Sequence, residues 1–406
     1  MQTRLPRVAF VVAFVSLTSL LLLASHYFHA SWPVAGVERE AGAAETPTAP
    51  ASQPAGGKNW PLFRGDPLAT GVAHGSLPEK LELLWEFEVD NGAFEGTAAI
   101  VDGVVYIGDL DGRVYALGLK DGKQKWAYTT DSGFIAAPSV RDGQLYIGDY
   151  DGRVHCLDIA KGELQWMFAT EAEIDSAVNF YKGNVLVASQ DGSLYCLESK
   201  PDGKEGKLVW KYATQDQIRC TPTVVEDRCF VAGCDSKLHI IDLTDGSAVA
   251  SVEIDGPTGV TPAVMGDYVY FGTMGGSFYA VHWKEAEKAW TYEDERHPEI
   301  RSSPAVTPTH LVFGSRGKSV YALDPKDGAE KWRIATRNRV DSSPVIVGDR
   351  VYVGAGDGRL YGLRVKDGST FWEYEVRGGF TGSPAVADGR MVIASDRGVV
   401  YCFGQK

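Results

Sequence analysis

The chain has 406 residues, of which 44% are hydrophobic, and 46 glycines, a composition that suits a folded protein rich in turns and strands. Its 40 basic and 53 acidic side chains give a formal net charge of −13, which argues against nucleic acid as a partner. Six cysteines occur without a C-x-x-C pair, so the sequence signals neither a zinc site nor a thioredoxin-type motif.

The N-terminus carries an apolar run, Val8–Ala24, preceded by two arginines. Seventeen helical residues reach about 25 Å, and Tyr27 and Phe28 extend the run toward the bilayer core thickness of about 30 Å. We therefore predict a transmembrane signal anchor at residues 8–28, with residues 1–7 cytoplasmic and the remainder on the periplasmic side of the inner membrane. A cleaved signal peptide, which would leave a secreted or periplasmic protein, is the alternative.

Two segments lead from this run to the body of the chain. Residues 37–58 are rich in Ala, Pro, Gly and Thr and too poor in large apolar side chains to fold, so we predict a disordered linker. Residues 59–80 form a lead-in segment that begins NWPLFRGDPLATG. Everything from residue 81 to residue 406 is periodic.

One position recurs through the periodic part at spacings of 40, 40, 44, 40, 42, 40 and 40 residues. It is occupied in turn by Thr97, Ala137, Ala177, Thr221, Thr261, Ser303, Ser343 and Ser383. A fixed period of this length is typical of repeat architectures.

Each repeat reads as strands alone. The first contains four short runs bounded by Asp-Gly pairs: Thr97–Val101, Val104–Gly108, Arg113–Leu117 and Gln124–Thr129. Asp-Gly between alternating runs indicates a type I′ hairpin, because both central residues need positive φ. The repeat is thus a four-stranded antiparallel meander, which must stack on its neighbours and does so most simply in a ring.

The two ends of the periodic part complement each other. The last repeat stops after three strands at Phe403, while a lone fourth-strand sequence around Trp85 precedes the first repeat. Pairing these strands would close the ring and leave no exposed edge at the seam. The sequence therefore predicts an all-β fold, an eight-bladed β-propeller of four-stranded antiparallel blades.

The stretch between the third and fourth strands carries a recognisable motif. It reads ALGLKDGKQKW at 116–126 and ALDPKDGAEKW at 322–332, and it resembles the tryptophan-docking pattern of the pyrroloquinoline-quinone-type propellers, as does the NWPLFRGDPLATG opening. The resemblance implies that each indole wedges between blades, above a glycine. The tryptophans concerned are Trp85, Trp126, Trp166, Trp210, Trp290, Trp332 and Trp372. Ala250 stands where an eighth is expected, so the joint after blade 4 should be weak or filled by another group.

Two branches of that family imply different functions. Quinoprotein dehydrogenases hold pyrroloquinoline quinone with calcium in the funnel above an adjacent Cys-Cys disulfide, and this chain has no adjacent cysteines. The chain is more similar to the BamB-type assembly factors, although it lacks their lipidated cysteine and only Ile218-Arg219 matches their partner-binding loop. We therefore expect a membrane-tethered, non-catalytic scaffold that binds protein partners in envelope or outer-membrane protein assembly, without a cofactor. A quinone-binding redox protein is the alternative.

The most variable and most charged position lies two residues before the recurring one, where we expect it to face the central channel. It is occupied by Glu95, Ile135, Asp175, Arg219, Gly259, Arg301, Asp341 and Thr381. Asp175 and Arg219 stand on adjacent blades, as do Arg301 and Asp341, which suggests two inter-blade salt bridges. A pocket in which two arginines clamp an anionic ligand or a partner's carboxylate, or a catalytic carboxylate pair, is also open. The five charged residues are our candidate contacts.

No other motif predicts chemistry. Asp109-x-Asp111 and Asp149-x-Asp151 resemble the start of a calcium loop but lack its bidentate glutamate, so we interpret them as turns and predict no metal site. A disulfide between Cys220 and Cys234, on expected hairpin partners, stays open.

Overall fold

The computed structural model describes residues 57–90 and 92–406, and within these ranges the regular structure is β throughout. The predicted cytoplasmic tail, the anchor at 8–28 and nearly all of the predicted linker lie outside the described residues. No helix in the described ranges has the length and apolar character needed to cross a membrane.

The described strands run in chain order from β1 to β33. They are β1 Val72–Ala73, β2 Glu82–Glu88, β3 Ala99–Val101, β4 Val104–Gly108, β5 Arg113–Gly118, β6 Gln124–Thr129, β7 Ser139–Arg141, β8 Gln144–Gly148, β9 Arg153–Asp158, β10 Leu164–Ala169, β11 Asn179–Tyr181, β12 Asn184–Ser189, β13 Ser193–Glu198, β14 Leu208–Ala213, β15 Thr223–Val225, β16 Arg228–Ala232, β17 Lys237–Asp242, β18 Ala248–Glu253, β19 Ala263–Met265, β20 Tyr268–Gly272, β21 Ser277–His282, β22 Glu287–Glu293, β23 Ala305–Val306, β24 Leu311–Ser315, β25 Ser319–Leu323, β26 Glu330–Ala335, β27 Val345–Val347, β28 Arg350–Gly354, β29 Arg359–Arg364, β30 Thr370–Glu375, β31 Ala385–Ala387, β32 Arg390–Ala394 and β33 Val399–Gly404.

These strands form eight sheets of four antiparallel strands each, which confirms the predicted eight-bladed propeller, and β1 extends the sheet of blade 7 by pairing in parallel with β27. Blades 1 to 7 each take four consecutive strands, beginning with β3–β6 and ending with β27–β30. Blade 8 combines β31, β32 and β33 with β2, so the N-terminal strand completes the last sheet. In that seam Trp85 lies opposite Cys402 and Phe87 opposite Val400. The predicted closure of the ring is therefore correct.

The hairpin between the first two strands of a blade has the predicted turn chemistry. Asp102 and Gly103 have φ values of 49° and 73°, and Asp142 and Gly143 have values of 51° and 78°. Two consecutive positive φ angles define the type I′ turn, whose twist matches that of the flanking strands. This turn fixes the register that sends alternate side chains into the contacts between blades.

Tryptophans join most neighbouring blades. Trp166 is 2% exposed, and its Nε1 donates to the carbonyl oxygen of Ser199 in the next blade at 3.0 Å. The same bond is made by Trp85, Trp126, Trp290, Trp332 and Trp372. A glycine of the next blade lies against each of these rings except that of Trp372, and at Gly162 an added Cβ would come within 2.5 Å of Trp126.

The joint between blades 4 and 5 is built differently. Ala250 replaces the tryptophan, and on blade 5 the glycine that would lie beneath it is replaced by Ala286, which keeps a positive φ of 55°. Trp283 packs edge-on against Phe230 of blade 4 at 5.9 Å between ring centroids. Its Nε1 donates to the carbonyl oxygen of Gly266 at 3.1 Å. At this joint the packed indole therefore comes from blade 5 and not from blade 4.

The lead-in segment forms hydrogen bonds with all eight blades at one end of the channel. In the structure this segment begins two residues earlier than predicted, at Gly57, and its residues 57–71 bond near the far end of each innermost strand, opposite the predicted channel mouth. The bonded pairs are Trp60 with Ile100, Pro61 with Val140, Pro67 with Asn179 and Val224, Leu68 with Val264, Thr70 with Val306, Gly71 with Ile346, and Gly57 with Asp388. The segment therefore crosses this end of the channel and ties the ring together from within.

Arg64 anchors the lead-in segment. Its side chain is 1% exposed, and Nη2 donates to the carbonyl oxygens of Pro304 in blade 6 and Pro344 in blade 7. Burial lowers the pKa of Arg64 to about 9, and the nearby Asp66 carboxylate opposes that shift. Gly71 must be glycine here, since its φ is +66° and a Cβ would overlap the Arg64 guanidinium.

Candidate functional site

The central channel is a funnel with a cavity of about 410 Å³. All eight residues of the variable position before the innermost strands line it, as do all eight residues of the recurring position. Phe63 of the lead-in segment also lines the cavity. The funnel is therefore open at its mouth and floored by the lead-in segment at the other end.

A ring of hydroxyl groups holds the inner strands together at the level of the recurring position. The backbone N–H of one blade donates to the hydroxyl of the next, as in Thr221 to Thr261 at 3.0 Å and Ser303 to Ser343 at 2.9 Å. The same bond starts from Ala177, Thr261, Ser343 and Ser383. Alanines at 137 and 177 interrupt the ring, so the N–H groups of Thr97 and Ala137 find no acceptor within the described residues.

One of the two expected inter-blade pairs is present. Arg219 Nε lies 3.7 Å from the Asp175 carboxylate, and its Nη2 donates to Gln190 Oε1 at 2.8 Å. Burial raises the pKa of Asp175, and the Arg219 charge opposes that rise. Blades 3 and 4 are therefore joined at the mouth by a pair that carries no net charge.

The expected pair between Arg301 and Asp341 does not form. Arg301 instead lies 3.1 Å from Glu299, its neighbour on the same blade. Asp341 receives a two-pronged contact from Arg316, at 2.9 and 3.0 Å, and a further one from Arg339 at 3.1 Å. The planar guanidinium of Arg316 matches both carboxylate oxygens, which Arg301 does not reach.

Arg316 and Arg339 are the site residues that the sequence interpretation missed. Arg316 occupies the hairpin turn between β24 and β25, at a position that varies in every blade. The equivalents are Leu110, Tyr150, Gln190, Cys234, Met274, Gly356 and Asp396. These residues form a second ring of variable positions at the mouth, and an alignment of this turn across the repeats identifies it.

The charges of the funnel are segregated. Arg301, Arg316 and Arg339 share two carboxylates, those of Glu299 and Asp341, and so leave one positive charge on blades 6 and 7. Glu95 on blade 1 lies in no salt bridge among the described residues. Burial raises the pKa of Glu95, and the charges of Asp396 and Asp175 raise it further. The funnel thus has an acidic side and a basic side.

In its described residues the funnel has no ligand set for the calcium that accompanies the quinone in the dehydrogenase branch. Across residues 57–90 and 92–406, no three His, Cys, Asp or Glu side chains are grouped so that they could hold a metal ion. The Asp341 carboxylate is already engaged by two arginines. All six cysteines are free, so the disulfide left open between Cys220 and Cys234 is not formed.

A second surface stands out on the outer rim of the ring. The large apolar side chains that are exposed in the described part of the chain are Met167, Leu208, Val209 and Val249, at 37%, 44%, 46% and 49%. They lie on β10, β14 and β18, the outermost strands of three consecutive blades. The edge of β10 is partly covered, because Met167 bonds to Lys204 and Gly206 of the loop that precedes β14. The edges of β14 and β18 have no such cover within the described ranges.

Comparison with known proteins identifies a family and a fold. A family model described as outer membrane protein assembly factor BamB matches residues 78–198, 151–294 and 200–406, which together span 78–406. A search of curated proteins finds no match.

Several solved structures share the fold. BamB from Moraxella catarrhalis superposes with a TM-score of 0.69 at 19% identity, covering 80% of this chain and 98% of that one. The computationally designed Ika8 protein gives 0.71 at 16%, with coverages of 80% and 100%. Quinohemoprotein alcohol dehydrogenase from Comamonas testosteroni gives 0.71 at 14%, with coverages of 86% and 81%. At these identities the likeness concerns the fold alone.

Proposed function

Because the chain belongs to the family of the outer membrane protein assembly factor BamB, we propose that it is a non-catalytic scaffold that binds protein partners in the cell envelope. In this proposal residues 8–28 anchor the chain in the inner membrane, and the propeller lies on the periplasmic side. The proposed role in envelope or outer-membrane protein assembly follows the family. The observation that carries the scaffold role is the apolar rim of blades 3 and 4.

The rim is defined here as Leu208 and Val209 on β14 and Val249 on β18. In blade 6 the positions equivalent to Leu208 and Val209 hold Glu330 and Lys331. Charged residues on an outermost strand discourage other strands from adding to its edge. Blades 3 and 4 therefore lack a protection that blade 6 has.

The rim suits a partner that adds a β-strand. Each outermost strand presents free backbone N–H and C=O groups along its outer edge, and a partner strand would bond to them while its alternate side chains cover the apolar ones. Burying an aliphatic side chain of this size stabilises a complex by about 1.5–3 kcal/mol, so two or three half-exposed residues supply a modest, reversible affinity. A scaffold that assembles and releases partners needs such a surface.

A graft between blades tests the proposal. The double substitution Leu208→Glu with Val209→Lys copies the blade 6 residues into blade 3, where Lys211 already stands in the place of Arg333. The protein should keep its fold, and recovery of its envelope partner in a crosslinked pull-down should fall about tenfold or more. The matched control exchanges the two charges of blade 6, Glu330→Lys with Lys331→Glu, and should recover the partner normally.

A photo-crosslinking residue placed at Val249 gives an independent readout in intact cells. We expect an adduct with a discrete envelope protein from position 249 and none from position 331. Equal crosslinking from both positions, or full partner recovery by the grafted variant, would refute docking at this rim.

A further inference from the structure

The funnel is a closed-bottomed cavity of a size that suits a small ligand. Its volume of about 410 Å³ falls in the range of ordinary ligand pockets, about 300–1,000 Å³. The lead-in segment crosses the lower end, where Phe63 lines the cavity, so we expect a ligand to enter from the mouth. The floor is apolar, whereas the walls carry hydroxyl groups and charges.

The charges on the funnel wall favour a ligand that has a positive charge at one end and a negative charge at the other. Glu95 on blade 1 offers a carboxylate that lies in no salt bridge among the described residues, and the nearby carboxylate of Asp396 adds to the negative potential there. Two to three blades farther round the ring, the group formed by Arg301, Arg316 and Arg339 with its two carboxylates has one positive charge in excess. A purely anionic ligand would be repelled by the first side, and a purely cationic ligand by the second.

The interrupted hydroxyl ring adds a third feature, beside Glu95. The N–H groups of Thr97 and Ala137 belong to residues that line the cavity, on the same side as Glu95. In six other places the equivalent N–H donates to a hydroxyl, and here alanines leave that position open. Backbone N–H groups that lack a protein partner can donate to a carbonyl oxygen of a ligand, such as that of a peptide bond.

From these three features we infer that the funnel binds a short peptide with both termini free. Its ammonium group pairs with Glu95, a peptide carbonyl accepts from Thr97 or Ala137, and its carboxylate pairs with Arg301 and the neighbouring arginines. This site goes beyond the scaffold role and does not depend on it, because the rim and the funnel mouth are different surfaces.

Calorimetric titration of the purified full-length chain tests the inference. The probes are alanylalanine, its N-acetylated form and its C-terminal amide, each of the latter lacking one terminal charge. We expect alanylalanine to bind and each modified form to bind about tenfold or more weakly, since each loses a charge-assisted hydrogen bond. The comparison uses one unaltered protein, so it does not depend on the folding of a variant.

Substitutions then assign each terminus. Glu95→Gln should weaken the binding of alanylalanine about tenfold and leave the weak binding of the N-acetylated form unchanged. Arg301→Gln should also weaken the binding of alanylalanine about tenfold and leave the weak binding of the C-terminal amide unchanged. Arg364→Gln at the opposite end of blade 7 is the control and should leave every titration unchanged. The inference is overturned if alanylalanine gives no binding heat, or if Glu95→Gln binds it normally. It is also overturned if the N-acetylated form binds as tightly as the free peptide, because the funnel would then read only a C-terminus, such as the tail of a protein partner.

Discussion

Replacing Gly162 by alanine should destabilise the propeller more than the same change at Gly103. Both glycines have positive φ, at +72° and +73°. A Cβ at Gly162 would lie 2.5 Å from the Trp126 ring, whereas a Cβ at Gly103 would meet nothing within 4 Å. The pair therefore separates the backbone cost from the packing cost of the tryptophan joint.

The expected magnitudes follow from these two costs. The left-handed conformation costs an alanine about 1 kcal/mol, and this is the whole expected loss for Gly103→Ala. Displacing a packed indole adds about 1–3 kcal/mol, so Gly162→Ala should lose about 2–4 kcal/mol in total. Ala286→Gly, at the joint where Ala250 replaces the docking tryptophan, should gain up to about 1 kcal/mol. Guanidinium unfolding followed by tryptophan fluorescence measures all three.

The result that would contradict this reasoning is an equal loss at Gly103 and Gly162. It would mean that the indole moves aside without cost, and that the glycines beneath the tryptophans serve the turn rather than the joint. A loss from Ala286→Gly as large as that from Gly162→Ala would contradict it as well, because Ala250 stands where a docking tryptophan would lie over residue 286.

Three further predictions concern stability, the funnel and the membrane. Trp166→Ala should cost about 3–5 kcal/mol in the same unfolding assay, since a side chain that is 2% exposed is removed and the carbonyl of Ser199 loses its indole donor. The affinity for alanylalanine should fall as the pH is lowered through the raised pKa of Glu95, because protonation removes the charge that pairs with the ammonium group. Glu95→Gln should abolish that pH dependence. If the variant keeps the same pH dependence, Glu95 is not its cause. Deleting residues 8–28 should release the protein from the membrane fraction, and retention of the deleted chain there would argue against the anchor.

The propeller could be predicted because each of its signals is local and repeated. Asp-Gly pairs such as Asp102-Gly103 mark the turns, and the lone strand around Trp85 complements a last repeat that lacks one. The strand pairing at the seam needs no information beyond this pattern, since only one sheet is incomplete.

The site could be predicted only in part. The residues before the innermost strands do line the funnel, because the period itself places them there. Their ion pairs could not be predicted, because Asp341 pairs with Arg316, which extends from a hairpin turn, and not with Arg301 of the same ring of positions. The path of the lead-in segment was also beyond reach, because its sequence occurs once and its bonds to eight different blades follow no period.

The lead-in segment also bears on how the ring comes apart. Stacked repeats that contact only their neighbours can lose units one at a time from an end. In this chain Gly57 bonds to Asp388 and strand β2 pairs with β33, so the N-terminal residues of the propeller hold its C-terminal blade, while Trp60 bonds to Ile100 of blade 1. Partial unravelling from either terminus would break contacts around the whole circle at once. Melting should accordingly be a single cooperative event, and the ring can be completed only after its last blade has been synthesised.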